Sequence, residues 1–512
     1  MSTKKILAVL LALFVLATAV SGCGNSGSSS ADSQSGSSAT SENSASTEDT
    51  ASTDGEVPTI SLMVVCGTTP PDADAVAEKL SEITREKIGC NVEFITMEIG
   101  NVAQQLNLLL SCGDDTLDVF MAGISVPYST IVNNGQALSL DTLMEPYAEE
   151  VKTALGEKVY ESGRVNGELY GIGRLLDQAS TTCYNLRRDI AEEFGYKNGD
   201  KVDLAELTEL FGKVREKYPD TPLIGPMNGV PSIGDSRIDS LGNKLGVLDN
   251  YGQDTTVTNY YESAGYEELV GYFKQWKEMG CYMADILNVT DAPIDYIPSG
   301  KAFGCFASHF SAEMNGIWSS QNFGTDIASL QIYEDAVAIT PGAYECINPA
   351  TKNPEAAAAL IYLMATDPDV ENLLINGIEG QHYQVLEDNT ATYVDGKDIS
   401  TTGWCLGYSW TALNSTISIP FEYPADYYDR MLAANKNAQQ SKAFGCQFDL
   451  TGVSDAVSAC TNVVNQYENA LSGGAVEDFD ATLAQFQQGL RDAGIDEIVA
   501  AKQEQLDAFL AG

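Results

Sequence analysis

The sequence predicts an α/β protein with two lobes, and three observations support this fold class. Strand and helix patterns alternate over residues 59–121, as they do in a doubly wound sheet. The chain has 512 residues, which is enough for two lobes with separate cores. A pair of helices with clear start and stop signals lies at residues 353–377.

The N-terminus reads as a secretory leader. Lys4 and Lys5 precede an apolar run at residues 6–20, which is short for a membrane span of roughly 20 residues. Small residues then precede Cys23, which resembles a lipoprotein signal and implies cleavage before Cys23 and a diacylglyceryl group on its thiol. We therefore assign residues 1–23 to a lipoprotein signal peptide and lipobox. A plain signal peptide or a membrane-spanning helix is the alternative.

Residues 24–56 are predicted to form a disordered Ser-rich tether. They consist almost entirely of Ser, Ala, Thr, Gly, Asp and Glu. Such a segment cannot bury enough apolar surface to offset the entropy that it would lose on ordering. The folded part is therefore expected to begin near Val57.

The alternating pattern after Val57 predicts a doubly wound first lobe. Its expected elements are a strand at 59–65, a helix from about 72 to 89, a strand at 91–96, a helix at 102–111 and a strand at 117–121. In such sheets, ligands bind beyond the carboxyl ends of the strands. We therefore expect Thr68 and the segment 122–128, which ends in Tyr128, to face a ligand.

Capping signals predict several later helices. Asp203 is expected to cap a helix that ends before Pro219, and an amphipathic helix is expected at 266–279. Residues 299–306 read as a turn that leads into an apolar strand.

The helix pair carries the clearest signals of this kind. Asn353 is expected to accept amide protons of the first turn, with Pro354 at the first helical position, where no donor is needed. Asp367 and Pro368 repeat this start signal for a short second helix. Gly377 follows that helix, at a position where a left-handed conformation favours glycine.

The composition disfavours several classes of function. The formal net charge is −44, so nucleic acid and anionic lipid headgroups would repel the chain. The 11 cysteines form no Cys-x-x-Cys pair, and His309 and His382 are the only histidines, so no metal site is predicted. The sequence has no phosphate-loop, nucleophile-elbow or calcium-loop motif, and no cofactor is predicted.

Several segments resemble family 1 extracellular solute-binding proteins, the capture subunits of bacterial ATP-driven importers. The tail at residues 377–383, Gly-x-Glu-Gly-x-His-Tyr, resembles a signature of that family. Segments 135–141 and 168–172 resemble a turn and a strand of the family, although the usual proline is replaced at each. Residues 441–506 resemble the C-terminal domain, of unknown function, that marks a lipoprotein subgroup.

The resemblance implies a particular organisation of the chain. The fold would be a two-lobed periplasmic-binding-protein-like fold of class II, with hinge strands between the lobes and a helical C-terminal region. The first lobe would comprise residues 57–172 together with about 337–386. The second would comprise residues 173–336 together with about 387–512, including the C-terminal subgroup domain at 441–512.

The resemblance also implies a function. The protein would be a lipid-anchored subunit of an ABC importer, on the extracytoplasmic face of a bacterial cell membrane, and would capture a mono- or oligosaccharide by hinge closure. Its partners would be the ligand, the ABC permease subunits and the membrane. A sensory or adhesive sugar-binding lipoprotein is an alternative. A secreted glycosidase is another, but no motif supports it, and we interpret Glu379 and His382 as packing residues, not catalytic ones.

Candidate ligand residues follow from the chemistry of sugars and from the resemblance. The resemblance implies that the crossing at residues 177–185 lies at the floor of the cleft and that residues 308–310 match positions that put an aromatic ring against the sugar in maltose-type relatives. A pyranose has C–H faces that pack on flat rings and hydroxyls that need donors and acceptors. The aromatic candidates are Tyr128, Tyr184, Phe310, Trp404 and Trp410. The polar candidates are Thr68, Asp177, Gln178, His309 and Asp449. For each ring the alternative is a core or surface position, for Asp177 it is turn formation, and for Asp449 it is helix capping.

Overall fold

The computed structural model describes residues 57–511 except 114, 125, 228–232, 334–335, 399 and 405–411. The predictions for the leader, Cys23, the tether and Trp410 lie outside these described residues. Among the helices that are described, none is both long enough and apolar enough to cross a membrane.

Strands of the chain form two larger sheets and several short pairs. The strands are β1 Thr59–Cys66, β2 Asn91–Glu98, β3 Val119–Ala122, β4 Arg164–Val165, β5 Glu168–Leu169, β6 Gly171–Gly173, β7 Ala179–Arg187, β8 Val247–Leu248, β9 Val257–Thr258, β10 Gly304–His309, β11 Ile327–Gln331, β12 Val337–Ala338, β13 Tyr344–Ile347, β14 Tyr383–Val385, β15 Ala391–Tyr393 and β16 Gln439–Gln440.

Helices cover the sheets and form the C-terminal region. They are α1 Ala73–Lys87, α2 Val102–Ser111, α3 Tyr128–Asn133, α4 Asp141–Met144, α5 Ala148–Leu155, α6 Glu157–Glu161, α7 Arg188–Glu193, α8 Leu204–Lys217, α9 Asp249–Gly252, α10 Ala264–Glu278, α11 Pro293–Tyr296, α12 Ala312–Phe323, α13 Pro354–Thr366, α14 Pro368–Asn376, α15 Tyr427–Asn437, α16 Ser454–Ser472, α17 Phe479–Asp492 and α18 Ile495–Ala511. Short 3-10 turns occur at Tyr260–Glu262, Ile286–Asn288, Ser415–Ile417 and Thr451–Val453.

The first lobe is built on a sheet with the strand order β2-β1-β3-β13-β6. Strand β1 is parallel to β2 and β3, while β13 runs antiparallel to both β3 and β6. In this register Tyr344 lies opposite Ala122 on one side and Gly173 on the other. The carboxyl ends of β3 and β6 therefore meet at one edge of the sheet, beside the start of β13, as the sequence pattern predicts.

Two apolar layers cover this sheet. One contains Leu62 of β1, Ile361 of α13 and Trp404, and the other contains Met63 of β1, Leu106 of α2 and Tyr128. Neighbouring residues of β1 point to opposite faces, so the strand is buried on both sides. Trp404 lies in this first-lobe core, which differs from the expectation that residues 387–512 belong to the second lobe.

The predicted caps are confirmed with one exception. The carboxylate of Asp203 accepts the N–H of Glu206 at 2.7 Å, and that of Asp367 accepts the N–H of Asp369 at 3.0 Å. Pro354 occupies the first turn of α13, but the side chain of Asn353 makes no capping hydrogen bond. The expectation for Asn353 is therefore wrong.

The second lobe is built on a sheet with the order β10-β7-β12-β16, with β11 also paired to β7. Tyr184, at the centre of β7, lies opposite Phe306 of β10 and Leu330 of β11. Phe211 of α8 and Trp276 of α10 pack against these residues in one large core.

Two adjacent stretches join the lobes, and we call residues 174–178 and 339–343 the crossing segments. The first leads from β6 to β7, and the second leads from β12 back to β13. A third stretch runs alongside the second, because the hydroxyl of Thr340 accepts the N–H of Gly445 at 2.8 Å. On the other side, the N–H of Leu175 donates to Leu413 O at 2.9 Å.

Helices α16 to α18 form the C-terminal region and pack on the second lobe. Phe486 of α17 shares a core cluster with Tyr261 of the second lobe. Lys502 of α18 is 0% exposed, which is rare for a lysine. Its ammonium donates to Leu241 O (3.0 Å), Asn243 Oδ1 (2.7 Å) and Gly246 O (3.0 Å). This lysine therefore fixes the C-terminal region to the loop before β8.

The same region also contacts the first lobe. The amide of Gln447 donates to Tyr344 Oη at 2.7 Å and to Ser162 O at 3.1 Å. The hydroxyl of Ser129 donates to Phe448 O at 2.8 Å. The C-terminal region thus bridges the two lobes next to the crossing segments.

Candidate functional site

The crossing segments separate in the middle and enclose a small cavity, which we call the crossing pocket. Backbone hydrogen bonds join their ends, from Arg174 N–H to Ala343 O at 3.3 Å and from Ile339 N–H to Gln178 O at 3.2 Å. Between these bonds lies a volume of about 130 Å³. Its walls are formed by Arg174, Leu176, Asp177, Gln178 and residues 339–343. A ligand in this pocket would touch the segments that join the lobes.

Two buried donors of the crossing pocket, Arg174 Nη2 and Gln178 Nε2, have no hydrogen-bond partner among the described residues. Arg174 is 3% exposed, and its other nitrogens donate to Ala412 O at 2.6 Å and Met121 Sδ at 3.6 Å. Leaving a buried donor unpaired costs about 1–3 kcal/mol. Both carboxyl oxygens of Glu345, and Oε2 of Glu371, are also buried without a partner among the described residues, and both acids are charge neighbours of Arg174.

Two buried carboxyl groups lie near Arg174. Burial raises the pKa of Glu345 to about 8 and that of Glu371 to about 7, although the charge of Arg174 lowers both. One oxygen of Glu371 accepts the N–H groups of Leu413 at 2.6 Å and Asn414 at 2.9 Å. At neutral pH Glu345 is therefore largely protonated and Glu371 partly protonated, so the two acids only partly offset the charge of Arg174.

Asp177 is the acceptor in the crossing pocket. Its side chain reaches solvent, but protein surrounds it on most sides, and this partial desolvation raises its pKa to about 6. A group that is both wet and enclosed lies at the bottom of a concave surface. At neutral pH the carboxylate is largely ionised and can accept hydrogen bonds from hydroxyl or amide groups.

A wall of aromatic rings stands beside Asp177. Tyr423 and Tyr427 are stacked with centroids 4.0 Å apart and an interplanar angle of 12°, and both are half-buried. Phe310 meets Tyr427 edge-on at 5.4 Å. Burial is the main cause that raises the pKa of both tyrosines, and the negative charge of Asp177 also raises both, which indicates that the carboxylate lies near the two rings.

His309 is next to this wall. Its ring lies 4.5 Å from that of Phe310, and its Nδ1 accepts the N–H of Ser311 at 3.4 Å. Burial lowers the pKa of His309 to about 4, so the ring is neutral at pH 7. With Nδ1 as the acceptor, Nε2 carries the proton and can act as a donor.

A larger cavity of about 450 Å³ lies on the other side of residues 339–342, and we call it the C-terminal cavity. Its walls come from both lobes, the second crossing segment and residues 443–450. Tyr128 lines it, stacks on Tyr344 at 4.1 Å and donates its hydroxyl to Gly163 O at 2.5 Å. No described side chain that lines this cavity has a buried polar atom without a partner, so it shows less demand for a polar ligand.

Two predicted rings belong to cores instead. Tyr184 is 0% exposed in the second-lobe core, and its hydroxyl donates to Leu223 O at 2.7 Å. Trp404 is 4% exposed in the first-lobe core, and its indole N–H donates to Leu374 O at 3.2 Å. The structure contradicts the prediction that these rings bind a ligand, because their faces and polar atoms are already used within the protein.

The remaining predicted residues are at the surface. Thr68 is exposed just beyond β1, at the edge of the sheet where the prediction put it. Asp449 is exposed, and its carboxylate accepts the N–H of Thr451 at 2.9 Å at the start of a 3-10 turn. This bond closes a local turn, and the cap positions of the following 3-10 turn and helix are Leu450 and Val453, so Asp449 is not the helix cap that the alternative expected.

The sequence reasoning missed Arg174, Tyr423 and Tyr427. A signal for the tyrosines was present, because Tyr423, Tyr427 and Tyr428 occur within six residues. Arg174 had no such signal. Its role depends on the pairing of two stretches that are far apart in the chain.

The histidine of the family-like tail has a structural role. His382 is 0% exposed, its Nδ1 accepts the N–H of Ile378 at 2.8 Å, and its Nε2 lies 3.1 Å from Asp72 Oδ2. These contacts tie the tail to the start of α1. A side chain at Gly377, which has a φ of 76°, would place its Cβ 2.4 Å from His382 Nδ1.

Comparison with known sequences gives two findings. Residues 442–511 match a family model described as a domain of unknown function, DUF3502. A protein of Streptococcus pneumoniae serotype 4, named as a carbohydrate ABC transporter substrate-binding protein, is 23% identical over 474 residues. That alignment covers 90% of this chain and 92% of the relative. The predicted resemblance, including its C-terminal part, is confirmed.

Comparison with solved structures confirms the two-lobed α/β fold. The N-glycan transport solute binding protein NgtS of Streptococcus pneumoniae has a TM-score of 0.76 and 20% identity, covering 89% of this chain and 99% of that one. Its complex with Man1GlcNAc has a TM-score of 0.69 and 20% identity, with coverage of 89% and 100%. An HMO-binding solute binding protein of Bifidobacterium longum infantis has a TM-score of 0.62 and 16% identity, with coverage of 88% and 99%.

Proposed function

We propose that this protein is the substrate-binding subunit of an ABC importer and that it captures a carbohydrate between its lobes. The observation that carries the proposal is the crossing pocket, where the carboxylate of Asp177 lies on a segment that joins the lobes, near the stacked rings of Tyr423 and Tyr427. The names of the similar proteins, which refer to carbohydrate and N-glycan transport, support the same substrate class.

Different side chains of the site would contact different parts of a sugar. The half-buried ring of Tyr423 offers a flat surface for a C–H face, while Asp177 accepts hydrogen bonds from hydroxyls. Because the pocket lies on the crossing segments, a ligand that contacts both lobes favours one hinge arrangement over others.

We propose that the N-terminus of the protein determines where it is located. Cleavage before Cys23 and lipidation of its thiol would anchor the protein to the extracytoplasmic face of the membrane. Residues 24–56 would then give the folded part reach towards the permease subunits.

We propose binding without catalysis. The relatives found by comparison are named as binding proteins. Glu379 is exposed, and His382 is buried in contacts with Asp72 and Ile378, so these two residues do not form a paired acid and base. Chromatography of oligosaccharides after incubation with the protein should return them uncleaved, whereas product formation would favour a glycosidase.

A thermal-shift screen of the chain from residue 24 against mono- and oligosaccharides tests the proposal. A ligand at 100 times its Kd stabilises the folded state by about 2.7 kcal/mol. We expect a shift with at least one sugar, weakened by Asp177→Asn. The exposed Asp449→Asn is the matched control and should bind like wild type. A broad panel with no shift for any sugar would refute carbohydrate capture.

A further inference from the structure

An asparagine of α15 is hydrogen-bonded to both sides of the turn that carries Asp177. The side-chain Oδ1 of Asn435 accepts the N–H of Ala179 at 2.9 Å, and its Nδ2 donates to Leu176 O at 2.8 Å. These two backbone groups lie on either side of Asp177 and Gln178 in the chain. A single side-chain amide therefore closes the turn.

Two further backbone bonds restrict this turn. Leu176 O also accepts the N–H of Gln178 at 2.9 Å, and Gln178 O accepts the N–H of Ile339 at 3.2 Å. These bonds lie within and between the crossing segments, whereas the bonds to Asn435 come from a helix. Asn435 therefore determines where the turn lies relative to that helix.

Helix α15 also carries part of the aromatic wall. Tyr427, Met431 and Asn435 follow one another at intervals of four residues, so they lie on one face of the helix. Met431 is buried in one cluster with Ala179 and Phe310, and Tyr427 packs against that cluster. The face of α15 that carries the ring therefore lies against the start of β7, directly after the turn.

We propose that Asn435 is a positioning residue of the crossing pocket, which holds the carboxylate of Asp177 in a fixed place beside the rings of Tyr423 and Tyr427. This inference rests on the proposed function and adds a residue to it. Because Oδ1 and Nδ2 of Asn435 are both bonded to the backbone of the turn, the residue acts on a ligand through Asp177. Without this side chain, the N–H of Ala179 loses its partner and the turn can move relative to the rings.

A double-mutant cycle separates positioning from a general effect on stability. Residues that act as one unit give losses that do not add, whereas the losses from independent residues do add. Asp177→Asn removes the charge of the acceptor and should weaken sugar binding by about tenfold to a hundredfold. Asn435→Ala should weaken binding by about tenfold in the wild-type chain, but by less than about twofold in the Asp177→Asn chain. Equal fold losses in both backgrounds would overturn the inference and leave the proposed function intact.

A second variant and a control accompany the cycle. Asn435→Asp keeps the size of the side chain and an acceptor for the N–H of Ala179, but it places an oxygen opposite Leu176 O. It should therefore weaken binding as Asn435→Ala does, and it replaces that variant in the cycle if the alanine chain does not fold. Asn437→Ala, at an exposed position of the same helix, is the control and should bind like wild type.

Calorimetric titration of the chain from residue 24 at neutral pH measures each affinity. The probe is cellobiose, lactose, mannobiose or N-acetyllactosamine, whichever raises the melting temperature most, or the best sugar of the wider screen if none of the four does. The stoichiometry of each titration reports the folded fraction, so an unfolded variant is not counted as a weak binder. If no sugar of any kind binds the wild-type chain, the proposed function fails, and this inference fails with it.

The pH dependence of binding gives an independent readout. Burial raises the pKa of Asp177 to about 6 from an ordinary value of 3.8, although a backbone hydrogen bond and the charge of Arg174 lower it. Tyr423 and Tyr427 stay neutral in this range, because burial raises their pKa values. Wild-type affinity should therefore fall as pH drops below about 6, whereas in Asn435→Ala, whose looser turn admits water, the fall should move towards about pH 4. Weaker binding with an unchanged midpoint would indicate a structural role and overturn the inference.

Discussion

Trp404 stacks on Phe94 of β2, with ring centroids 5.6 Å apart and an interplanar angle of 30°. This contact joins a late loop of the chain to the first sheet. We predict that Trp404→Ala lowers the free energy of unfolding by about 3–5 kcal/mol, because it removes a large ring from a packed core. Urea unfolding of the ligand-free protein, followed by circular dichroism, measures this loss.

The control for Trp404 is Leu108→Ala. Leu108 is 64% exposed, so its truncation should change the free energy of unfolding by no more than about 0.5 kcal/mol. Wild-type stability of the tryptophan variant would show that the Trp404–Phe94 contact does not matter for folding.

Tyr423 is predicted to be the ring that packs on the sugar. Tyr423→Ala should weaken the affinity for a sugar from the screen by about tenfold to a hundredfold, while Tyr423→Phe should keep most of it. Tyr362→Ala is the matched control, since Tyr362 is also half-buried and stacked, on Tyr147 at 4.6 Å, but lies on a first-lobe helix. Calorimetric titration distinguishes them, and equal affinities for the two alanine variants would exclude Tyr423.

The raised pKa of Glu345 predicts that the free energy of unfolding depends on pH. Its pKa is about 8 in the fold and 4.5 as its ordinary value. Between these values the folded protein binds more protons than the unfolded chain, so the free energy of unfolding falls as pH rises from about 5 to 8. Asp177 and Glu371 act in the same direction, because their pKa values are also raised.

The contribution of Glu345 is isolated by substitution. Glu345→Gln keeps the shape of the side chain but cannot ionise, so stability should fall less between pH 5 and 8, by on the order of a few kcal/mol. Exposed Glu379→Gln is the control and should follow the wild-type curve. Unfolding in urea at each pH gives the slopes, and identical slopes for the Glu345 variant and wild type would disprove the assignment.

Lys502 is predicted to hold the C-terminal region in place. Lys502→Met keeps the length of the side chain but leaves three oxygens without their donor, which should cost roughly 3–5 kcal/mol. Hydrogen exchange should rise in the loop before β8. Lys442→Met, at an exposed position, should leave both stability and exchange unchanged.

Cys23 is predicted to carry the lipid anchor. Cys23→Ala should move the protein from the membrane fraction to the soluble or secreted fraction, because the lipid would have no attachment point. Immunoblots of fractionated cells test this, with Cys112→Ala as a control that should stay with the membrane. Retention of the Cys23 variant in the membrane fraction would rule out a lipid on this residue.

Local signals predicted much of the fold. The alternation at residues 59–121 located β1, α1, β2, α2 and β3 within a few residues, and Asp203 and Asp367 cap the helices that they were expected to cap. Such signals depend on neighbours in the sequence. The surface position of Thr68 could be predicted for the same reason, since the end of a strand can be recognised locally.

Long-range packing limited the prediction of the site. A tryptophan flanked by glycine, like Trp404, reads as a loop residue until its partner Phe94 is known. Arg174 differs from the other arginines because its side chain is almost fully buried. That burial depends on the pairing of its segment with residues 339–343, which are far away in the sequence. No pattern within either stretch indicates that they meet.

The contact between Gly377 and His382 has a consequence for evolution. A Cβ at residue 377 would lie 2.4 Å from the imidazole and 2.9 Å from Trp404 Cδ1, and the φ of 76° disfavours any side chain there. A smaller residue at 382 would remove one of these clashes but not the other two obstacles. An alignment of related chains should therefore keep glycine at 377 even where the residue at 382 has changed.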